Sequence, residues 1–302
     1  MSEAARTWAE RIGPIGVWAH DVERFTASAA RDYARAIESL GFGALWIPES
    51  LGSKEIFAHA SLLLGATERL VVASGIANIW ARDAVAMANG ARTLVDAYPD
   101  RFLLGLGVSH APIIKTRGRE TYARPFEEMR AYLDAMDAAP YVGPKVEVPR
   151  VLAALGPKML RLSAERTLGA HPYFVPVEHT PRARAELGPL PLLAVEQAAV
   201  LAGDAATARE AARRHMKRYL DLDNYVNNLR RLGWGDRDLT AGGSDKLVDA
   251  VVAWGDEDAI NARVEEHRSR GADHVCVQVL RVDRDAPPTR DLERIARAVE
   301  LV

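Results

Sequence analysis

The chain has 302 residues, with 39 Lys plus Arg against 41 Asp plus Glu, for a formal net charge of −2. Its 48% hydrophobic and 26% charged residues are those of a folded globular chain, which excludes disordered and collagen-like classes. The near-neutral balance argues against a nucleic-acid binder, which needs a basic face. No apolar run approaches the roughly 18 residues of a membrane span. The first eleven residues lack the apolar stretch of a secretory signal. Cys276 stands alone, so neither an intrachain disulfide nor a cysteine-based zinc site is expected. These features point to a cytoplasmic protein without membrane attachment.

Apolar runs then alternate with helical patterns. Residues 12–18 read as a buried strand. Residues 25–40 read as a helix, with Tyr33, Ala36, Ile37 and Leu40 on one face and Gly41 at the cap position. Strand-like 44–48 precedes a helix at 57–66. The charge-free run 70–76 precedes a helix at 84–97, and the run 102–108 precedes a helix at 122–137 that aligns Phe126, Met129, Leu133 and Met136. Near-continuous apolar strands are covered on both faces, as in a parallel sheet, and the helices supply the crossovers.

The second half repeats the theme less regularly. Residues 151–155 form strand five, with a helix at 157–167. Strand six is 170–175, strand seven 192–195 and strand eight 274–280, and a last helix runs from 289 to 299. Eight strands with following helices predict an α/β fold of the (β/α)8 TIM-barrel kind rather than an open sheet. The long gap between strands seven and eight reads as an extended helical insertion, with helices at 205–220, 224–232, 246–254 and 258–270. Gly233, Gly235, Gly242 and Gly243 punctuate it. Residues 1–302 are therefore expected to form one domain. Arg213, Arg214, Lys217 and Arg218 read as a solvated helix face.

In such a barrel the chemistry sits at the carboxyl ends of the strands. The residues found there are Trp18, His20 and Asp21, then Glu49 and Ser50, then Asn78, Ile79 and Trp80. Ser109 and His110 follow strand four, and Gly156, Pro157 and Lys158 follow strand five. His171 and Tyr173 flank strand six, and strand seven carries Glu196 and Gln197. Polar and aromatic groups thus converge on one rim. The eight histidines show no metal-ligand spacing, so no metal site is expected, and there is no G-x-S-x-G nucleophile elbow. Cys276 sits mid-strand and reads as inert core.

Several segments, in order, carry a family resemblance. They are Gly16-Val17-Trp18, residues 34–49 (ARAIESLGFGALWIPE), 70–82 (LVVASGIANIWAR), 100–110 (DRFLLGLGVSH), 123–133 (ARPFEEMRAYL), 155–170 (LGPKMLRLSAERTLGA), His171-Pro172-Tyr173 and 271–278 (GADHVCVQ). Together they resemble the luciferase-like superfamily of flavin and deazaflavin oxidoreductases, and within it the group of probable coenzyme F-420-dependent oxidoreductases. The resemblance implies a barrel with a flavin-type cofactor over the strand ends, and a homodimer. It implies hydride transfer between F-420 and a small organic substrate. An FMN-dependent monooxygenase on the same fold is the rival, as is a barrel that has lost catalysis, its rim plugged by side chains such as Trp18, Ile79 and Trp80. An aldo-keto reductase barrel does not fit, because its tyrosine and lysine find no place at the strand ends.

Carried over by position, Gly75-Ile76 corresponds to a strand-three bulge with a cis non-proline peptide that backs the deazaflavin ring. Gly75→Val is then expected to abolish cofactor binding with little loss of fold. Gly105, Gly107, Val108 and Ser109 either present backbone N–H groups to the cofactor or simply allow tight packing at a strand end. Gly156-Pro157-Lys158 either opens a helix whose N-terminus takes the phosphate or is an ordinary helix start. Glu49 and His110 are the candidates for proton transfer, with a rim pair to Arg82 as the alternative for Glu49. Ser50, Asn78 and Trp18 are expected near the ring, and His171 and Tyr173 near the substrate, with His20 a weaker candidate. The loop 111–120, with Lys115, Arg117 and Arg119, either attracts an anionic cofactor tail or is ordinary solvated surface.

Overall fold

The computed structural model describes residues 2–116, 122–283 and 288–301; Arg117 and Arg119 lie outside the described residues. Ten strands are found among them: β1 (Ile15–Trp18), β2 (Ala44–Ile47), β3 (Val71–Ser74), β4 (Ala77–Asn78), β5 (Phe102–Gly107), β6 (Arg150–Leu152), β7 (Gly169–Ala170), β8 (Leu192–Leu201), β9 (Val252–Gly255) and β10 (His274–Val279). All pairings are parallel. The order β10-β1-β2-β3-β5-β6-β7-β8 closes on itself through β8–β10, and β4 continues β3 beyond a bulge. This is a closed eight-stranded (β/α)8 TIM barrel. β9 is an extra strand on the outer half of β8.

Side chains alternate across the barrel wall, as the pleat demands. Trp18, Ala44, Trp46, Val71, Ala73, Leu103, Val151, Leu192, Ala194 and Cys276 fill the interior. Cys276 is fully buried there, as its mid-strand position suggested. Their neighbours Val17, Leu45, Ile47, Val72, Leu104, Leu152, Val195 and Val277 face outward into the helix layer. The helix Glu3–Ile12 was not anticipated; its Ala5, Trp8 and Ile12 join the interior cluster, and the Ser2 N–H binds Leu190 O at 2.9 Å. It closes the amino-terminal end of the barrel, so only the carboxyl end remains for a site.

Several expectations are corrected. The first strand begins at Ile15, because residues 3–12 are helical. Strand six is only Gly169–Ala170; residues 171–175 leave it as a loop, with Phe174 at φ 57°. Strand seven runs ten residues, to Leu201. Its outer half would present a bare edge, and β9 covers it. The segment 246–254 is therefore not one helix: helix Asp245–Val251 ends and Val252–Gly255 pairs with residues 198–201. β-Branched valines and Trp254 suit that pleated position better than a helix end. Helix His179–Leu187 was also missed; its Pro181 lies in the first turn, where a missing N–H is tolerated.

Candidate functional site

The third strand breaks at its carboxyl end. Ser74 is followed by a cis peptide between Gly75 and Ile76, as the resemblance implied, and pairing resumes at Ala77–Asn78. Neighbouring glycines make room for this bulge. A Cβ on Gly105 would collide with the Ser74 carbonyl oxygen, and one on Gly107 with Ile76 Cδ1. The Ser74 hydroxyl donates to Gly105 O at 2.8 Å and accepts from Gly105 N at 2.9 Å. The G-x-G therefore packs against the bulge, and the Gly105 N–H is already engaged. Of the two readings of this motif, tight packing is the one realised at Gly105.

Behind Gly75 lie two buried polar atoms. A Cβ there would meet Trp18 Nε1 at 2.5 Å and His171 Nε2 at 3.2 Å, and neither nitrogen has a hydrogen-bond partner. His171 Nδ1 lies 2.9 Å from Ala194 O. A carbonyl only accepts, so Nδ1 carries the proton and Nε2 presents a lone pair. Burial lowers the His171 pKa to about 4, which keeps the ring neutral. Its face stacks on Trp46 with centroids 4.2 Å apart, and the Trp46 indole donates to His274 Nε2 at 3.1 Å. His171 is thus an oriented interior ring, not a rim loop residue.

Tyr173 leaves β7 and crosses toward Trp18, with ring centroids 5.0 Å apart. Its hydroxyl donates to Gln278 Oε1 at 2.8 Å and meets Tyr219 OH at 2.7 Å. Tyr219 accepts from Arg218 at 2.5 Å, and Arg218 reaches His20 Nε2 at 3.0 Å. His20 Nδ1 is 2.8 Å from Glu23, whose carboxylate also accepts from the Ser50 hydroxyl at 3.0 Å. So Arg218 does not belong to a simple solvated face; it ties the insertion helix Ala205–Leu220 to the barrel rim. Ser50 is committed to Glu23, away from a free cofactor contact.

Glu49 is corrected most plainly. Both its oxygens are taken by Arg82, and the Asn78 N–H donates to Oε2 at 2.8 Å. The pair is nearly closed off, with 13% and 5% of the Arg82 and Glu49 side chains exposed. The anticipated rim ion pair is what the structure holds, and no free carboxylate remains to move a proton. Glu49→Ala leaves Arg82 only its 3.2 Å ion pair with the exposed Glu55, and about 1.5–3 kcal/mol of stability should be lost in guanidinium denaturation.

Elsewhere the rim residues hold one another. Asn78 Oδ1 accepts from Trp80 N at 3.0 Å, and the Trp80 indole donates to Val108 O at 2.8 Å. Ser109 sits at φ 55°, its carbonyl accepting from Tyr122 OH at 2.9 Å. His110 Nδ1 lies 2.8 Å from Asn224 Oδ1 on helix Asp223–Arg231, and burial lowers its pKa. Gly156 caps helix Pro157–Arg166 without a side-chain bond, and Lys158 is exposed. The Arg231 guanidinium comes 3.6 Å from where a Gly156 Cβ would stand, beside buried Asn228, whose Nδ2 is unpartnered.

Trp18 and Ile79 are buried and Trp80 is half-buried, but the rim is not sealed. Gly75, Ile76, Val108, Ser109, His110, Leu155, Gly156 and Tyr173 form a partly exposed strip from the bulge to the helix N-terminus. Sequence reasoning missed Arg218, Tyr219, Asn224, Tyr225, Asn228 and Arg231, all from the insertion. The one signal available was the buried-face spacing of Ala212, Met216 and Tyr219 on one helix.

A closed parallel barrel with a half-open strip along its strand ends is a (β/α)8 scaffold of the kind that carries its site at the carboxyl ends of the strands. The sequence profile of the luciferase-like monooxygenase family matches residues 12–274, and the chain belongs to that family. A 5,10-methylenetetrahydromethanopterin reductase of Methanolobus tindarius is 24% identical over 151 residues, 44% of this chain and 46% of the relative. The match thus spans under half the length of that curated relative. Among solved structures, an F420-dependent secondary alcohol dehydrogenase with an F420–acetone adduct superposes at TM-score 0.77 and 16% identity, over 95% of this chain and 98% of that one. The coenzyme F420-dependent tetrahydromethanopterin reductase of Methanopyrus kandleri gives 0.69 at 16% identity, over 95% and 96%. The oxygenating constituent of 3,6-diketocamphane monooxygenase from Pseudomonas putida, solved with FMN, gives 0.65 at 17%, over 94% and 96%.

Proposed function

We propose that the chain is an oxidoreductase that moves a hydride between coenzyme F-420 and a small organic substrate. The observation that carries this reading is the bulge at Gly75-Ile76. Glycines on β5 make room for it, and it is half-exposed at the lip of the barrel. A flat backbone platform of this kind suits a planar tricyclic ring. At the far end of the strip, the helix N-terminus at Gly156-Pro157 offers unpaired N–H groups to an anion. Arg231 and the unpartnered Asn228 amide stand beside it. The residues present therefore fit a ring joined to a phosphate-bearing tail. When bound, the deazaflavin supplies two-electron hydride chemistry.

In this reading the protein's own work is orientation and proton handling. Ile76 and Val108 border the ring position. Trp18, His171 and Tyr173 form the floor behind Gly75, with the histidine held neutral. The buried strand ends exclude water. Since Glu49 is locked to Arg82, the half-buried Tyr173 hydroxyl becomes the group that holds a proton at the lip, and His110 stands at the strip's polar end.

Fluorescence titration with F-420 and with FMN tests the reading. Saturable F-420 binding is expected; tight FMN uptake with no affinity for F-420 would overturn it in favour of a flavin monooxygenase. Arg231→Gln should raise the Kd for F-420 about tenfold, about 1.4 kcal/mol. It should leave binding of the tail-less deazaflavin chromophore unchanged. Equal losses for both ligands would place the tail elsewhere.

A further inference from the structure

The insertion helix Ala205–Leu220 carries several arginines, and one of them is unlike the rest. Arg209, Arg213 and Arg214 pair with Asp245, Asp249 and Glu210. Arg218 pairs with no carboxylate among the described residues. Its guanidinium is fixed instead by two neutral acceptors, His20 Nε2 at 3.0 Å and the Tyr219 hydroxyl at 2.5 Å. A guanidinium can only donate, so His20 Nε2 carries no proton. The acids on this side of the rim are committed elsewhere, Glu23 to Ser50 and His20, and Asp21 to Arg281. Beside Arg218 on the same helix, His215 Nε2 is buried and has no hydrogen-bond partner. A guanidinium holds five N–H donors in a fixed fork, and two of them are spent here. Arg218 is therefore an exposed, positioned cation whose charge is unanswered.

His20 follows β1 and Gly156 follows β6. These strands are four places apart whichever way the closed barrel is followed. Arg218 and Arg231 thus stand on opposite sides of the mouth, with the β3 bulge on the arc between them. The groups that link Arg218 to the bulge are aromatic. Tyr219 meets Tyr173, and Tyr173 and His20 both pack on Trp18, whose Nε1 adjoins Gly75. We propose that Arg218 anchors an oxyanion on the substrate, a carboxylate or a phosphate, while the other end of the substrate reaches the bulge across Trp18. The substrate is then a small organic anion. N–H···O bonds to an oxyanion are stronger than those to neutral acceptors, and the remaining donors of the fork can make them without displacing His20 or Tyr219. One cation on each side of the mouth keeps the two ligands apart, the cofactor tail at Arg231 and the substrate at Arg218.

That the anion is the substrate rests on the oxidoreductase reading; the anion site itself does not, and it is tested on the chain without cofactor. Calorimetric titration at low ionic strength takes sodium acetate and inorganic phosphate as probes, in an Arg231→Gln background that silences the tail site. Saturable binding of at least one probe is expected, and the tighter of the two gives the class of oxyanion. Arg218→Gln should raise its Kd at least about tenfold. Arg218→Lys keeps the charge without the fork and should fall between wild type and glutamine, which guards against a glutamine variant that loosens the insertion. Arg214→Gln removes the same charge from the same helix and should leave the Kd unchanged. The absence of saturable binding, an unchanged Kd in Arg218→Gln, or equal losses in Arg214→Gln and Arg218→Gln overturns the anchor. F-420 affinity should be the same in Arg218→Gln and wild type; a loss there would give Arg218 to the cofactor tail and overturn the substrate assignment.

Discussion

Gly105→Ala is expected to unseat the cofactor platform without touching the strip where the cofactor would lie. The added methyl would collide with the Ser74 carbonyl oxygen, which is backbone and cannot rotate away. Either β5 or the bulge must shift, and the two Ser74 hydrogen bonds to Gly105 go with it. Overpacking of this kind costs about 1–3 kcal/mol. The loss of F-420 affinity should be at least about tenfold, equivalent to about 1.4 kcal/mol. Gly75→Ala acts on the same platform from its other side, where the methyl meets Trp18 Nε1 at 2.5 Å and His171 Nε2 at 3.2 Å. Those are side-chain atoms, but in a packed interior. The position therefore cannot take even the smallest side chain freely, and the expectation that valine there would spare the fold is abandoned. Denaturant midpoints and fluorescence titration of both variants check the pair. Wild-type affinity in Gly105→Ala would show that the bulge is not the platform.

The barrel was legible because its signal is local. Apolar runs such as 70–76 and 102–108 could only be strands buried on both faces, and helices with cap residues stood between them. The cis bulge was legible only through resemblance, since nothing in Ser74-Gly75-Ile76 by itself specifies it. What failed has a common cause. Glu49 reads as a rim acid until Arg82, thirty-three residues later, closes on it. Gly105 and Gly107 look like a phosphate loop until the bulge on the neighbouring strand, some thirty residues earlier in the chain, fills the space beside them. β9 and the long end of β8 define each other, and neither is evident alone. Side-chain partners across such distances are not written in any window of the sequence.

The insertion shows the same limit from the other direction. Its basic helix face looked like ordinary solvated surface, and Arg213 and Arg214 do pair with Asp245 and Glu210. Arg218 instead turns to Tyr219 and His20. One residue in the cluster thus ties the insertion to the lip of the barrel. The same packing brings Tyr219 and Tyr225 against Tyr173 and Phe174. It is this aromatic cover that dries the interior around Glu196.

That drying has a thermodynamic consequence. Glu196→Gln should make the protein more stable at alkaline pH and change it little near pH 4. The folded pKa of about 8 stands above the ordinary carboxylate value of 4.5. Below pH 4.5 the acid is protonated whether the chain is folded or not, and its ionisation contributes nothing. As pH rises from there, the unfolded chain releases the proton while the folded chain retains it. Stability of the wild type therefore falls progressively until the folded group also ionises near pH 8, and the deficit is constant above that. Each unit of difference is worth about 1.4 kcal/mol, so the full penalty is at most about 5 kcal/mol. Glutamine can accept the Phe174 N–H that Glu196 Oε2 accepts at 3.0 Å, and it has nothing to ionise. Urea melts of wild type and variant at pH 5, 7 and 9 should diverge in the order of rising pH, with the variant ahead. Parallel curves would mean that Glu196 ionises in the folded chain as readily as in water.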